Sequence, residues 1–223
     1  MRFLCLHGIG TNSQIFKMQT AAFRYELADN HKYEFVQGTV PWELPQELAS
    51  LSDPSKTHYA YFDMTSNSFI AALDNLEAYI ESEGPFDGVV GYSQGAGLAA
   101  MLMVRRSILR AHHVPLFRCA VFFSPVQVYD PVAYLEQGEV QVLGGKTVIS
   151  VPVAVVYGEK DDRKEECRSM QSICDPEKLS VFVHEGGHEI PGLGGTAKSG
   201  VLDSVKVARQ AITRAELDIS LHC

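Results

Sequence analysis

The chain has 223 residues, of which 46% are hydrophobic and 21% charged, a composition typical of a globular protein with one large domain. Its formal net charge is −8, and no basic run is longer than the pair Arg105–Arg106. Nucleic acid is therefore not an expected partner, because phosphate binding needs clustered lysines and arginines. No run of about 18 apolar residues occurs, so the sequence predicts no membrane span.

The cysteines and the N-terminal stretch indicate the compartment. The cysteines are odd in number and scattered, with no C-x-x-C pair: Cys5, Cys119, Cys167, Cys174 and Cys223. This usage favours free thiols in a reducing environment. The apolar run before His7 is too short for a secretory signal. We therefore expect a single soluble, cytoplasmic domain over residues 1–223.

Short β-rich runs alternate with stretches of helical periodicity, which is the pattern of a layered βαβ domain. In chain order the predicted elements are a strand at 2–8, a helix at 13–29 capped by Asn12 or Ser13, a strand at 33–38, a long loop at 39–65, a helix at 68–84, a strand at 86–93, a helix at 94–109, a strand at 117–125, a short helix around 131–136, strands at 151–158 and 179–187, and a helix at 196–217. Because the strands are continuous apolar runs, they predict a mostly parallel sheet of about six strands with helices on both faces.

The most informative motif is GYSQG, which places Ser93 between a predicted strand and a predicted helix. This is the G-x-S-x-G pattern of the turn that presents a nucleophilic serine at the edge of an α/β-hydrolase sheet. Gly91 and Gly95 are expected where a Cβ would collide with the crowded turn. The alternative interpretation is an ordinary tight turn with an inert serine.

A serine hydroxyl becomes a good nucleophile only when a neighbouring base accepts its proton. His188, in HEGGHEIP, follows the last predicted strand, where the base falls in the chain order Ser–Asp/Glu–His. His184 lies nearer that strand and is expected to be structural. The carboxylate that orients the base is expected on the loop of VVYGEKDD, where spacing favours Asp161 over Asp162; the alternative is a solvated acidic loop.

Two further parts of the expected site follow from the N-terminal motif and from aromatic residues. The turn HGIG after the first strand predicts that the backbone N–H groups of Ile9 and Gln94 form an oxyanion hole. Five aromatic residues are candidates for an apolar acyl pocket, although ordinary core or surface is the favoured interpretation of each: Trp42, Tyr59, Tyr61, Phe62 and Phe123. No cofactor is expected, and no metal either, because the glycines of HEGGH disfavour the helix that H-E-x-x-H requires.

Four motifs in order, RFLCLHGIGTNSQIFKMQ, GPFDGVVGYSQGAGLAA, VVYGEKD and HEGGHEIP, resemble the fungal branch of the family of serine hydrolases, the FSH group. The resemblance covers nearly the whole chain and implies a compact α/β-hydrolase fold with little or no lid. It also implies Ser93 as nucleophile, Asp161 as acid and His188 as base. One stretch, VQGTVPWELPQELASL, departs from the glycine- and proline-rich run of many relatives, so the pocket is not carried over.

The resemblance implies hydrolysis of an ester or thioester in fungal secondary metabolism, with a small-molecule or carrier-bound acyl substrate and a polyketide synthase as a possible partner. Two alternatives remain open. The elbow also resembles that of acyl-protein thioesterases and carboxylesterases, which would make this a general esterase. A non-hydrolytic member could instead bind a polyketide intermediate and steer its cyclisation, since fold does not fix function.

Overall fold

A parallel β-sheet lies at the centre of the structure, a computed structural model that describes residues 1–28, 30–46, 56–63, 65–109, 115–138, 140–192 and 198–220. In chain order the elements are β1 (Arg2–Leu6), α1 (Ser13–Gln19), α2 (Ala21–Leu27), β2 (Lys32–Val36), β3 (Val40–Trp42), β4 (His58–Ala60), α3 (Ser66–Glu83), β5 (Gly88–Tyr92), α4 (Gln94–Leu109), β6 (Cys119–Phe123), α5 (Pro131–Gln137), β7 (Val153–Gly158), α6 (Lys164–Gln171), β8 (Leu179–His184) and α7 (Lys198–Ser220).

The six long strands form one sheet in the order β2-β1-β5-β6-β7-β8, and every neighbouring pair is parallel. The predicted six-stranded sheet is therefore confirmed, with each strand somewhat shorter than its apolar run. After β1 the chain adds β2 on one side of it, and the later strands β5 to β8 follow on the other side. The loops that follow β1 and β5 therefore meet at the carboxyl edge of the sheet. Such an edge is where open α/β sheets place their ligands.

Helices cover both faces of the sheet, as the apolar strands predict. Phe122 and Phe123, adjacent in β6, are both fully buried but belong to different clusters, because successive side chains of a strand point to opposite faces. Phe122 packs in the cluster that includes residues of α3, α4 and α6. Phe123 packs in the cluster that includes residues of α1, α2 and α7. Both faces of β6 are thus covered, which explains why its sequence shows no polar alternation.

The predicted helix at 13–29 is wrong in one respect, because it consists of the two helices α1 and α2. They meet at Thr20, whose backbone leaves helical geometry and whose hydroxyl donates to the Phe16 carbonyl at 2.8 Å. The Phe16 carbonyl also accepts from the Thr20 amide at 3.0 Å, and a hydroxyl bond added to the ladder in this way often bends a helix. At the start of α1, Asn12 is the cap, since its side chain accepts from the Ile15 amide at 2.9 Å.

The segment predicted as a long loop at 39–65 contains an antiparallel hairpin, in which β3 pairs with β4 and Val40 lies opposite Ala60. Residues 47–55 lie outside the described residues, and the small or absent lid remains a prediction. The helix α6 is absent from the predicted elements. Its eight residues, KEECRSMQ, bury only Cys167 and Met170, too short an apolar stripe to be recognised by periodicity.

Two further features of the described residues concern helix hydrophobicity and the state of the cysteines. Within the described residues, no helix combines the length and the apolar character needed to cross a membrane. The four described cysteines are buried and have free thiols: Cys5, Cys119, Cys167 and Cys174. The fifth, Cys223, lies outside the described residues.

Candidate active site

Ser93 lies on the sharp turn between β5 and α4, at the carboxyl edge of the sheet. Its φ is +51°, a left-handed conformation that non-glycine residues seldom adopt. The turn is held on both sides, since the Ser93 amide donates to the Phe123 carbonyl at 3.0 Å and the Ser93 carbonyl accepts from the Gly97 amide at 3.1 Å. A strained conformation fixed in this way is typical of a functional site.

The two glycines of the motif are needed because the turn leaves no room for a Cβ. A Cβ on Gly91 would lie 2.6 Å from the Cα of Ala96. A Cβ on Gly95 would lie 2.5 Å from the His7 carbonyl oxygen and closer still to that of Leu6. The predicted crowding is therefore confirmed, and it brings the first turn of α4 directly against the loop that follows β1.

Three side chains from three separate loops form a continuous chain of hydrogen bonds. Ser93 Oγ lies 2.9 Å from His188 Nε2, and His188 Nδ1 lies 3.0 Å from each carboxylate oxygen of Asp161. Since an ionised carboxylate only accepts, Nδ1 carries the proton and Nε2 is left to accept from the serine hydroxyl. The structure thus brings together the three residues that the sequence predicts, in the tautomer that a general base requires.

Asp161 is built to stay ionised although its side chain is buried. Burial on its own would raise its pKa, but hydrogen bonds from His188 and from the Arg163 amide, at 2.9 Å, outweigh burial and hold the pKa below its ordinary value. Asp162 is exposed and makes no contact of this kind with the imidazole. The spacing argument that favours Asp161 over Asp162 therefore agrees with the geometry.

Tyr92 is a supporting residue that sequence reasoning missed. Its hydroxyl donates to the backbone carbonyl of His188 at 2.8 Å, and the two rings lie 5.4 Å apart. Burial raises the pKa of Tyr92, so the hydroxyl keeps its proton and remains a donor. Tyr92 directly precedes Ser93 and therefore links the turn at the serine to the loop that carries the imidazole. The only sequence signal is a tyrosine at the second position of GYSQG, which has no general meaning.

The predicted oxyanion residues, Ile9 and Gln94, line the same cavity as Ser93 and His188. The Gln94 side chain has a role that the sequence does not indicate. It accepts from the Tyr61 amide at 2.8 Å and donates to the Phe62 carbonyl at 2.9 Å. Gln94, the first residue of α4, therefore anchors the segment after β4 to the start of this helix.

His7 is fully buried beside the candidate oxyanion loop and acts as a structural connector. Its Nε2 accepts from the Gly38 amide at 2.9 Å, which leaves the proton on Nδ1, 2.7 Å from the Gly8 carbonyl. Burial lowers the pKa of His7 to about 4, so the ring is neutral at physiological pH. These contacts hold the loop that follows β1 in its observed shape.

Buried neutral His7 should make the protein less stable in mild acid. The unfolded chain binds a proton at an ordinary histidine pKa, whereas the folded protein resists protonation until about pH 4. The contribution of neutral His7 to the free energy of unfolding is therefore fully present above pH 6.5. It is lost as the pH falls toward 4, at up to about 1.4 kcal/mol per pH unit. Urea unfolding at several pH values should show a shallower acid slope for His7→Gln than for the wild type. Parallel slopes would contradict a depressed pKa at this residue.

A cavity of about 730 Å³ opens over Ser93, and its lining shows which of the aromatic candidates contact it. The candidates Trp42 and Phe62 line it, whereas Tyr61 is buried and its hydroxyl donates to the Val36 carbonyl at 2.8 Å. The expectation is wrong for Phe123, which is fully buried in the core with its ring 5.1 Å from that of Phe23. Tyr59 is not among the described residues that line the cavity. It forms a bridge with Thr11 instead, and its carbonyl accepts from the Gly10 amide.

Three of the site residues, Asp161, Asp162 and His188, also place potential metal-ligand atoms within 4.8 Å of one another. Both Asp161 oxygens already contact the N–H of His188, and the other ring nitrogen faces Ser93. A cation bound at this group would have to break those contacts. The described arrangement is therefore better suited to proton transfer than to metal binding.

The fold and the serine elbow define the class of protein. The carboxylesterase of Mesorhizobium loti superposes with a TM-score of 0.61 at 16% identity, over 95% of this chain and 88% of that one. The RedJ thioesterase of the prodiginine biosynthetic pathway in Streptomyces coelicolor superposes with a TM-score of 0.56 at 14% identity, over 92% and 85%. The chain has the α/β-hydrolase fold, as the sequence predicts.

Sequence comparison identifies the family within that fold. The family model described as serine hydrolase (FSH1) matches residues 1–198, and the chain belongs to this family. Esterase FPY3 of Fusarium mangiferae is 38% identical over 96% of this chain and 98% of its own length. Hydrolase phiM, from a fungal species, is 29% identical over 85% of this chain and 86% of its own. The resemblance identified in the sequence is confirmed.

Proposed function

We propose that the protein hydrolyses a carboxylic ester or thioester through an acyl-enzyme on Ser93. The observation that carries this proposal is the unbroken chain from Ser93 Oγ through His188 to buried, ionised Asp161. Membership of a serine hydrolase family supports it. A protein that only binds its ligand has no need of a strained serine hydrogen-bonded to an oriented base.

In the first step, Ser93 Oγ attacks the carbonyl carbon while its proton passes to His188 Nε2. The resulting imidazolium is stabilised by Asp161 and gives the proton to the departing oxygen or sulfur as the bond from the carbonyl carbon to that atom breaks. In the second step, water loses a proton to Nε2 as its oxygen attacks the acyl carbon. Nε2 then gives this proton to Ser93 Oγ as the bond from the acyl carbon to Oγ breaks, which releases the acid and restores both the serine and the neutral base. The proton inventory balances in each step, and no metal or cofactor is required.

Negative charge grows on the carbonyl oxygen in both steps, and the Ile9 and Gln94 amides are the proposed donors that stabilise it. Each such donor is worth roughly 3 kcal/mol in the transition state. The contacts of the Gln94 side chain with residues 61–62 and those of His7 with Gly8 and Gly38 support this assignment. They hold the two proposed donor loops in place before the substrate arrives.

We propose fungal secondary metabolism as the setting, with an acyl substrate that originates from a polyketide synthase. The fungal relatives named esterase and hydrolase support this setting. A cytoplasmic location is proposed on the free, buried thiols of the four described cysteines. The net charge of −8 supports a site of action away from nucleic acid and from anionic membrane surfaces.

A fluorophosphonate probe followed by intact-mass measurement tests the proposed nucleophile. The wild type should gain one adduct, Ser93→Ala should gain none, and His188→Ala should react far more slowly. Ser107→Ala is the matched control, because the Ser107 hydroxyl is bonded to the Val148 carbonyl outside the cavity and its loss should leave labelling intact. An adduct that persists in folded Ser93→Ala would place the nucleophile at another residue and overturn the assignment of Ser93. A folded wild type that stays unlabelled would overturn the proposal in favour of a non-hydrolytic binder.

A further inference from the structure

Two kinds of side chain line the cavity over Ser93. The apolar ones come from β3, from the segments after β3 and β4 and from the loop after β6: Trp42, Pro45, Phe62, Val126 and Tyr129. The charged ones, which we call the charged wall, come from the loop after β7, from α6 and from the loop after β8: Asp162, Arg163, Glu166 and Glu189. Ser93 and His188 also line this cavity.

The charged wall has negative charges that no cation offsets. Glu166 is engaged, because its carboxylate lies 3.4 Å from the Arg163 guanidinium and accepts from the Gln127 amide at 2.7 Å. Among the described residues, neither Asp162 nor Glu189 has a salt-bridge partner, and Arg163 is the only lysine or arginine that lines the cavity. Lys164, close in sequence, is paired with Glu159 and contributes nothing to the lining.

The cavity that contains the imidazole is also the one that receives the leaving group. In the proposed reaction, which this inference takes as its basis, His188 Nε2 must reach the departing oxygen to protonate it. Nε2 lies 2.9 Å from Ser93 Oγ, and both residues line the same cavity as Asp162 and Glu189. The leaving group therefore enters a cavity whose charged lining holds three carboxylates and one guanidinium.

We propose that the enzyme selects esters by the charge of the leaving group. It accepts neutral or cationic alcohols and discriminates against alcohols that carry a negative charge near the scissile bond. The physical reason is Coulombic repulsion by Asp162 and Glu189, which is strongest at low salt because Asp162 is exposed and its charge is screened by ions. This favours a small-molecule ester over a substrate that presents an anionic carrier at the site.

Three hexanoyl esters isolate this effect, with 4-hydroxyphenylacetate, 4-hydroxyphenylacetamide and N,N-dimethyltyramine as the anionic, neutral and cationic leaving groups. The methylene next to each ring insulates the phenol, so the three leaving groups are of nearly equal acidity. After normalisation to the rate of hydroxide hydrolysis, kcat/KM should fall in the order cationic, neutral, anionic. The neutral ester should exceed the anionic one by about tenfold at low salt, and this ratio should shrink toward one at 0.5 M salt. Any other order would overturn the proposal.

Variants locate the source of the discrimination. The neutral-to-anionic ratio should narrow in Asp162→Asn and in Glu189→Gln, and most in the double variant. Glu185→Gln is the matched control, because Glu185 is an exposed carboxylate close in sequence that does not line the cavity. Equal narrowing in the control would assign the effect to overall charge and contradict the proposed wall. Absence of Ser93-dependent hydrolysis of the neutral ester would count against the proposed function itself, which is a separate outcome.

Discussion

Asp161→Asn is expected to lower kcat by about 10⁴-fold, whereas Asp162→Asn, one residue further on, should lower it by less than tenfold. Both substitutions remove one negative charge and keep the size of the side chain. Only Asp161 accepts from His188 Nδ1, so only its replacement lets Nδ1 lose its proton and leaves Nε2 as a donor that is unable to activate Ser93. Steady-state hydrolysis of the neutral hexanoyl ester provides the measurement.

Asp161 is buried and accepts from the Arg163 amide, so Asp161→Asn is also expected to lower the stability of the fold. The comparison of kcat remains informative once the folded fraction of each variant is known. Thermal unfolding of both variants shows which fraction of each is folded at the assay temperature. Labelling by the fluorophosphonate probe should slow in parallel with kcat, since both depend on the same activated oxygen. A loss in Asp162→Asn as large as that in Asp161→Asn would mean that the local negative charge matters and that the tautomer does not.

The parts of the site that sequence predicts are those encoded by short local signals. Glycine at 91 and 95, with an apolar strand before Ser93 and a helical run after it, defines a turn within a few residues. The bounds predicted for this helix, 94–109, are those that the structure has. His188 and Asp161 follow from chain order, because loops after parallel strands converge on one edge of the sheet.

The pocket is harder to predict, because a residue lines it only when its side chain points toward it, whatever the type of residue. Phe123 ends β6 directly beside the elbow, yet the alternation of the strand turns its ring into the core on the α7 side. The sequence predicts a role for the backbone N–H of Gln94 and gives no sign that its side chain contacts residues 61–62. Neither the bond from Tyr92 to His188 nor the charged wall has a sequence signature, since both join segments far apart in the chain.

Gly95→Ala is expected to be the most disruptive single-methyl change at the elbow. The added Cβ would meet the carbonyl groups of Leu6 and His7, which are backbone and have no rotamer to escape into. Relief requires α4 to move away from the loop after β1, which separates the two proposed oxyanion donors. Overpacking of this kind costs roughly 1–3 kcal/mol of stability. A displacement near 1 Å at the reacting groups would lower kcat by about 10²-fold.

Two other glycines serve as controls for this change. In Gly97→Ala the new Cβ would meet the tip of the Val126 side chain, which is able to rotate, so the loss should be smaller although the helix is the same. In Gly144→Ala no atom of the described residues lies within 4 Å of the new Cβ, and stability and turnover should stay near those of the wild type. Thermal unfolding and kcat for all three variants should therefore rank Gly95→Ala as the most damaging and Gly144→Ala as the least. Equal tolerance of alanine at 95 and 144 would show that α4 is free to shift without disturbing the donors, and that the close packing of the elbow against β1 is not required for catalysis.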